Sequence, residues 1–270
     1  MQQLFTKSFS AFILLFLMSC NASASKPQIA IVIDDMGYRS TDRAALTLKG
    51  QFTYAILPFA PFTEKLAQMA YRDQKEVIAH LPMEALNNNH LLGKGALLSD
   101  MDEATARAQI NKSLDNIPHI QGINNHMGSK LTTQEESLTW LMDELSQRNL
   151  YFLDSLTTSS SIAQQSAINQ GLPAAKRHIF LDNKLDRTYL KRQFLQLIKI
   201  AHQNDYAIAI AHPHPQTIAF LHTIDDTLKQ QNIELVPLST LLPQTTAFAK
   251  RQYAQKKTTT SKRTTQSAPR

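Results

Sequence analysis

The chain has 270 residues but only one cysteine and seven glycines, and each shortage excludes something. With Cys20 alone, no intramolecular disulfide can staple the fold, and the body of the chain holds no cysteine nucleophile. The few glycines build no phosphate-cradling loop, since neither GxGxxG nor a P-loop pattern occurs. No Gly-x-Ser-x-Gly elbow is present, which argues against a serine hydrolase.

Long apolar runs are also scarce. Residues 11–18 (AFILLFLM) follow Lys7 and are too short to span a bilayer comfortably. With Ala22-Ser23-Ala24 behind them, they read as a signal peptide over 1–24, cleaved after Ala24. The alternative is a lipoprotein box acylated at Cys20, to which Met18 is a poor fit. Either reading places the protein outside the cytosol, in the periplasm, and speaks against a nucleic-acid partner. Residues 244–270 hold Thr, Lys, Gln and Ser with seven positive charges and no acid, and are expected to form a disordered basic tail. The whole chain carries +6, so with seven positive charges in the tail the remainder sums to −1. Contact of that tail with anionic lipid or cell-wall polymer is one expectation, and simple solvation is the other.

What remains, 25–243, is a single domain's worth of chain, and 43% of the whole sequence is hydrophobic. Short apolar runs at 28–33, 52–58, 76–81, 119–124, 150–153, 178–181, 206–211 and 233–236 alternate with amphipathic segments at 101–117, 133–148, 187–204 and 215–231. Acids at Asp100, Asp102 and Glu103 suit a helix start, and Thr132-Thr133-Gln134-Glu135-Glu136 has capping-box character. Repeated strand–helix units predict an α/β fold of about seven to eight parallel strands, a closed or nearly closed barrel or else a doubly wound open sheet. Residues 84–100 form the longest irregular stretch and follow a strand end, where loops carry function.

The strand ends repeat one theme. They carry Asp34-Asp35, His80 with Glu84, Asn124-Asn125-His126, Asp154-Ser155, Asp182-Asn183 and His212-Pro213-His214. In a parallel barrel all of these open onto one mouth. Imidazoles and carboxylates together suit a divalent metal, zinc above all, with manganese, cobalt or iron accepting the same ligands. Water activated there, with a carboxylate to take its proton, would hydrolyse an amide or ester.

The stretches IVIDDMG (31–37), AHLPME (79–84), GINNHMGS (122–129), FLDSLT (152–157) and IAIAHP (208–213) resemble the divergent polysaccharide deacetylase family, a distant relative of the family 4 carbohydrate esterases. The resemblance covers about 27–242 and implies a distorted (β/α) barrel with a metal-dependent deacetylase ancestry. It makes Asp34 the general base and Asp35 a metal ligand. His80 would be the second ligand. The second loop histidine of the family 4 esterases is replaced by Glu84, so His126 would supply the third, with Glu84 the runner-up and otherwise a substrate contact. By the same resemblance His212 assists the leaving group and is oriented by Asp154, while Asn124 and Asn125 face substrate or a developing oxyanion. The arginine–proline motif of the true deacetylases has no equivalent in this chain. The expected substrate is a cell-envelope carbohydrate polymer or oligosaccharide bearing N- or O-acetyl groups. The competing expectation is a non-catalytic carbohydrate or envelope-binding protein that retains the metal pocket. His214, His90, His119, His178, His202 and His222 are read as surface or packing residues.

Overall fold

The computed structural model describes residues 26–243. The segment expected to be a signal peptide, Cys20 and the expected basic tail lie outside the described residues. The strands are β1 (Gln28–Met36), β2 (Thr53–Ile56), β3 (Glu76–Met83), β4 (Ile120–Met127), β5 (Tyr151–Asp154), β6 (Ala174–Lys176), β7 (Ile179–Phe180), β8 (Tyr206–Ala211) and β9 (Glu234–Leu235). The helices are α1 (Thr63–Arg72), α2 (Glu103–Asp115), α3 (Glu135–Gln147), α4 (Ala163–Asn169), α5 (Arg187–Asn204), α6 (Pro215–Leu221) and α7 (Asp225–Gln230).

Eight strands follow one parallel path, β6-β5-β4-β3-β2-β1-β8-β7, curled into a half-barrel with helices outside it. The outermost strands, β6 and β7, are consecutive in the chain. Arg177 N still bonds to Asp154 O beside β5, whereas His178 N bonds to Ile208 O on β8. The chain itself thus bridges the gap where no ladder exists. Strand β1 lies between β2 and β8 and pairs with β8 from Gln28 to Ile33. On its other side β9 takes Gln28 and Ile29, and β2 takes over from Val32.

Strand alternation divides the core into two layers. Ile29, Ile31 and Ile33 face outward and pack with Leu66, Leu138, Phe194 and Leu197 of the helices. Ala30 and Val32 face inward with Ala55, Ile78, Leu153, Ile208 and Ile210. Both faces are dry, which is why β1 reads as a continuous apolar run. A one-residue slip would turn three isoleucines inward and Asp34 into the helical layer. Each buried isoleucine contributes roughly 1.5–3 kcal/mol, so the register is firmly held. The lower end of the barrel is filled by Val236, Leu238, Leu241 and Leu242.

Some expectations need correction. The segment 215–231 is two helices, because the chain turns at Thr223, whose Oγ1 donates to Phe220 O, and restarts on Asp225 and Asp226. The capping box at Thr132 does not form. Thr132 Oγ1 donates to Gly128 O, and α3 starts after Gln134 without a side-chain cap. Helix α2 is capped, by Asp102 Oδ1 accepting from Thr105 N at 2.8 Å. Strand β6 had no signal, since Ala-Ala-Lys has little β propensity.

Candidate active site

The inward parity that buries Ala30 and Val32 also aims Asp34 at the mouth. The same rule puts His80 two residues after Ile78, and His212 two and four after Ile210 and Ile208. Asn124 and His126 share one face of β4. Asp35 should point away, but β1 bulges here. Between Ile33 and Met36 it advances three residues while β2 advances two, and Asp35 takes φ +57. A bulge with a left-handed residue is a local cost that re-aims a side chain. It brings both adjacent carboxylates over the mouth.

The three donors converge closely. Asp35 Oδ1 lies 2.9 Å from His126 Nδ1 and 3.2 Å from His80 Nε2, and the two ring nitrogens are 3.2 Å apart. Ligands of a tetrahedral ion with bonds near 2.0–2.1 Å stand about 3.3 Å apart. Asp35 Oδ1 is buried, yet it receives no well-aligned N–H from either ring. Three donor atoms converging on one point, with Asp35 Oδ1 lacking an aligned partner, fit a cation. Burial raises the Asp35 pKa, but the His126 and His80 rings outweigh this and hold the carboxyl well below the usual range.

Asn124 sets the protonation pattern behind them. Its Nδ2 donates to Asp34 Oδ1 at 2.8 Å and Oδ2 at 3.0 Å, and a carboxylate can only accept. Its Oδ1 must then face His80 Nδ1, 2.7 Å away, which therefore donates. That leaves the His80 Nε2 lone pair directed at Asp35 and His126. Burial raises the Asp34 pKa against the lowering pull of His80 and His212, which makes the carboxylate a stronger proton acceptor. For His80, burial is likewise opposed by Asp34 and Asp35, and the balance raises its pKa. Asn124 is thus a positioning residue and does not face substrate. Asn125 is a stitch as well, donating to Met127 O and accepting from Ser155 N.

His212 sits across the mouth with Nε2 3.9 Å from Asp35 Oδ2. Its partner is Asp182, not Asp154. His212 Nδ1 donates to Asp182 Oδ1 at 2.9 Å, and Asp182 Oδ2 accepts from His212 N and Thr217 Oγ1. Burial disfavours the charged ring, but the Asp182 hydrogen bond and charge, with Asp35 and Asp34 adding, push its pKa up to about 9. Asp154 has the opposite parity to the inward Leu153. It accepts from Ser161 Oγ and Leu156 N and ties down the loop after β5. Glu84 is neither ligand nor substrate contact. It accepts from Lys130 Nζ at 2.8 Å and Ser99 N at 2.7 Å, latching both ends of the long loop.

A cavity of about 510 Å³ opens over these groups, within the range of small-ligand sites. Tyr38, Arg39, Leu91, Met127, Pro213 and His214 line it together with Asp35, His126 and His212. The sequence reading missed His214, Arg39 and Asp182. Asp182 stood among the strand ends, but nothing in the sequence said that its strand neighbours β8. Asp182, His212 and His214 also cluster. There, however, the carboxylate is already engaged by two N–H groups and a hydroxyl, so the Asp35 set has the open donors.

A model described as divergent polysaccharide deacetylase matches residues 31–242. The chain belongs to that family. Two curated members are themselves uncharacterized. YibQ of Escherichia coli K12 is 36% identical over 239 residues, covering 88% of this chain and 74% of that protein. The Haemophilus influenzae relative is 34% identical over 220 residues, covering 81% and 78%. Among solved structures, an uncharacterized protein from Agrobacterium tumefaciens C58 has a TM-score of 0.77 at 22% identity, covering 82% of this chain and 91% of its own. Wild-type BA3943, a CE4 family pseudoenzyme from Bacillus anthracis, reaches 0.50 at 14% identity, covering 80% and 66%. Divergent deacetylases and the CE4 fold thus share one architecture.

Proposed function

We propose that this family member is an exported, metal-dependent hydrolase that removes N- or O-acetyl groups from a cell-envelope carbohydrate. The observation that carries the reading is the Asp35, His80 and His126 donor set, within 3.2 Å of one another and backed by an Asn124-bridged Asp34. A divalent ion held there, zinc by donor type, lowers the pKa of water and polarises an acyl carbonyl. Asp34 takes the water proton as the new C–O bond forms. His212, protonated at neutral pH and held by Asp182, gives its Nε2 proton to the sugar nitrogen or oxygen as the old bond breaks. Acetate and the free amine or hydroxyl result.

The test is metal content of the full chain, wild type against His126→Ala, alongside acetate release from acetylated cell-wall glycans. Near-stoichiometric metal that the variant loses, together with acetate release, supports the reading. A folded protein that binds no metal overturns it. A binding protein that keeps the metal pocket without turnover is the second reading, and Glu84 favours it. The residue replacing the family 4 esterases' second loop histidine latches the loop through Lys130 and Ser99. Metal and glycan binding without acetate release would select it. Export predicts mature protein beginning at Ser25 in the periplasm, checked by N-terminal sequencing. Tail docking predicts that deleting 244–270 weakens binding to anionic vesicles, and unchanged binding overturns it.

A further inference from the structure

The cavity over the donor set contains one cation that the chemistry above does not use. Arg39 follows Asp35 by four residues on a turn that is rigidly built. Asp42, 2% exposed, accepts from Gly37 N at 3.0 Å and Arg39 N at 2.9 Å. That carboxylate is therefore engaged by backbone amides. The other carboxylate in the lining, Asp35, belongs to the donor set. Several cationic side chains elsewhere are occupied. Arg107 is paired with Glu103, Asp143 and Glu144, Arg148 with Asp115, Lys130 with Glu84, and Arg177 donates to two carbonyls. Among the described residues Arg39 forms no ion pair, yet it faces the cavity. A second concavity, about 540 Å³ beside Arg107, has its charges paired and is scaffold.

The walls beside Arg39 suit a sugar. Tyr38, 46% exposed, and Leu91, 60% exposed, present apolar faces. The Tyr38 hydroxyl packs where a Cβ on Gly93 would stand, 2.1 Å away, so the loop carrying Leu91 closes against the turn carrying Arg39. A planar guanidinium on a fixed turn matches carboxylate or phosphate oxygens in a two-pronged bond.

We propose that Arg39 selects an acidic substrate, so that the acetylated sugar taken by this site carries a carboxylate or phosphate that the Arg39 guanidinium binds. The inference deepens the hydrolase reading and rests on it for the acetyl group, but the charge preference is measured separately. Binding of three probes to the full chain is compared by calorimetry: N,N′-diacetylchitobiose, an N-acetylglucosamine–glucuronate disaccharide and N-acetylglucosamine 6-phosphate. At least one acidic probe is expected to bind about tenfold tighter than the neutral one. That preference falls to within about twofold in Arg39→Gln and partly returns in Arg39→Lys, which keeps the charge but not the fork. The stronger of the two acidic probes tells carboxylate from phosphate. Equal affinity for all three, no binding of any, or a preference that survives in a folded Arg39→Gln overturns the proposal. Acetate release from neutral and acidic probes alike leaves the hydrolase and removes the selector. A charge preference without acetate release does the reverse.

Discussion

The two ends of the barrel use similar polar residues to opposite ends. At the lower end Thr53 Oγ1 donates to Glu76 Oε2 at 2.6 Å, Leu238 N donates to Thr53 Oγ1, and Ser239 N donates to Glu76. These groups answer one another, although the buried Tyr151 hydroxyl in the same layer has no well-aligned partner, and Leu238, Leu241 and Leu242 seal the layer. At the mouth, two ring nitrogens 3.2 Å apart face Asp35 Oδ1, which is buried without a well-aligned donor. Two histidines flanking β8 show the same contrast. His178 Nδ1 accepts from Ile208 N at 3.0 Å, and burial, with Lys176 and Arg177 nearby, pushes its pKa down to about 4. His212 is likewise half-buried but faces Asp182, and its pKa rises to about 9. Burial alone decides neither. The neighbour does, and a functional end is one where donors and acceptors are left open.

The comparison can be broken at the mouth first. Asp34→Asn removes the proton acceptor while keeping the shape, and acetate release should fall by about 10²–10⁴-fold in steady-state assays without a change in melting temperature. A smaller loss would assign the proton to another group. Asp182→Asn should cost about 10–100-fold and lower the pKa seen in the alkaline limb of the pH–rate profile, because it supports His212. Asp154→Asn should destabilise the fold and leave that profile in place. If the two variants exchange behaviours, the pairing described here is wrong.

At the lower end, Glu76→Gln should cost about 1–3 kcal/mol in urea unfolding, since it weakens a buried network, and leave kcat unchanged. The smallest effect is acid sensitivity from His178. Its folded pKa lies below its unfolded value near 6.5, so its penalty is absent above pH 6.5 and grows as pH falls toward 4. By pH 5.5 wild type should lose roughly 1 kcal/mol that His178→Gln does not lose. Parallel unfolding curves at pH 7.5 and 5.5 check the sign.

Much of this was legible beforehand. Asp34, Asp35, His80, His126 and His212 were singled out as strand-end residues, and the structure brings them to one mouth. The partners behind them were less legible. Asn124 was read as a substrate contact but bridges Asp34 and His80, and Glu84 was read near the metal but latches a loop. An amide or a carboxylate at a strand end has the same local pattern in either role.

The division follows from range. Which face of a strand a residue occupies is local geometry, so the alternation through Ala30, Val32 and Asp34, and through Ile78 and His80, belonged to the sequence itself, as did the alternation of strands and helices that demands a parallel sheet. Which strands lie side by side is non-local. It depends on β1 lying between β2 and β8, on the bulge that turns Asp35 at φ +57, and on a two-residue β7 that brings Asp182 beside β8. No periodicity can encode a neighbour more than twenty residues away, so only the folded chain decided that His212 answers to Asp182.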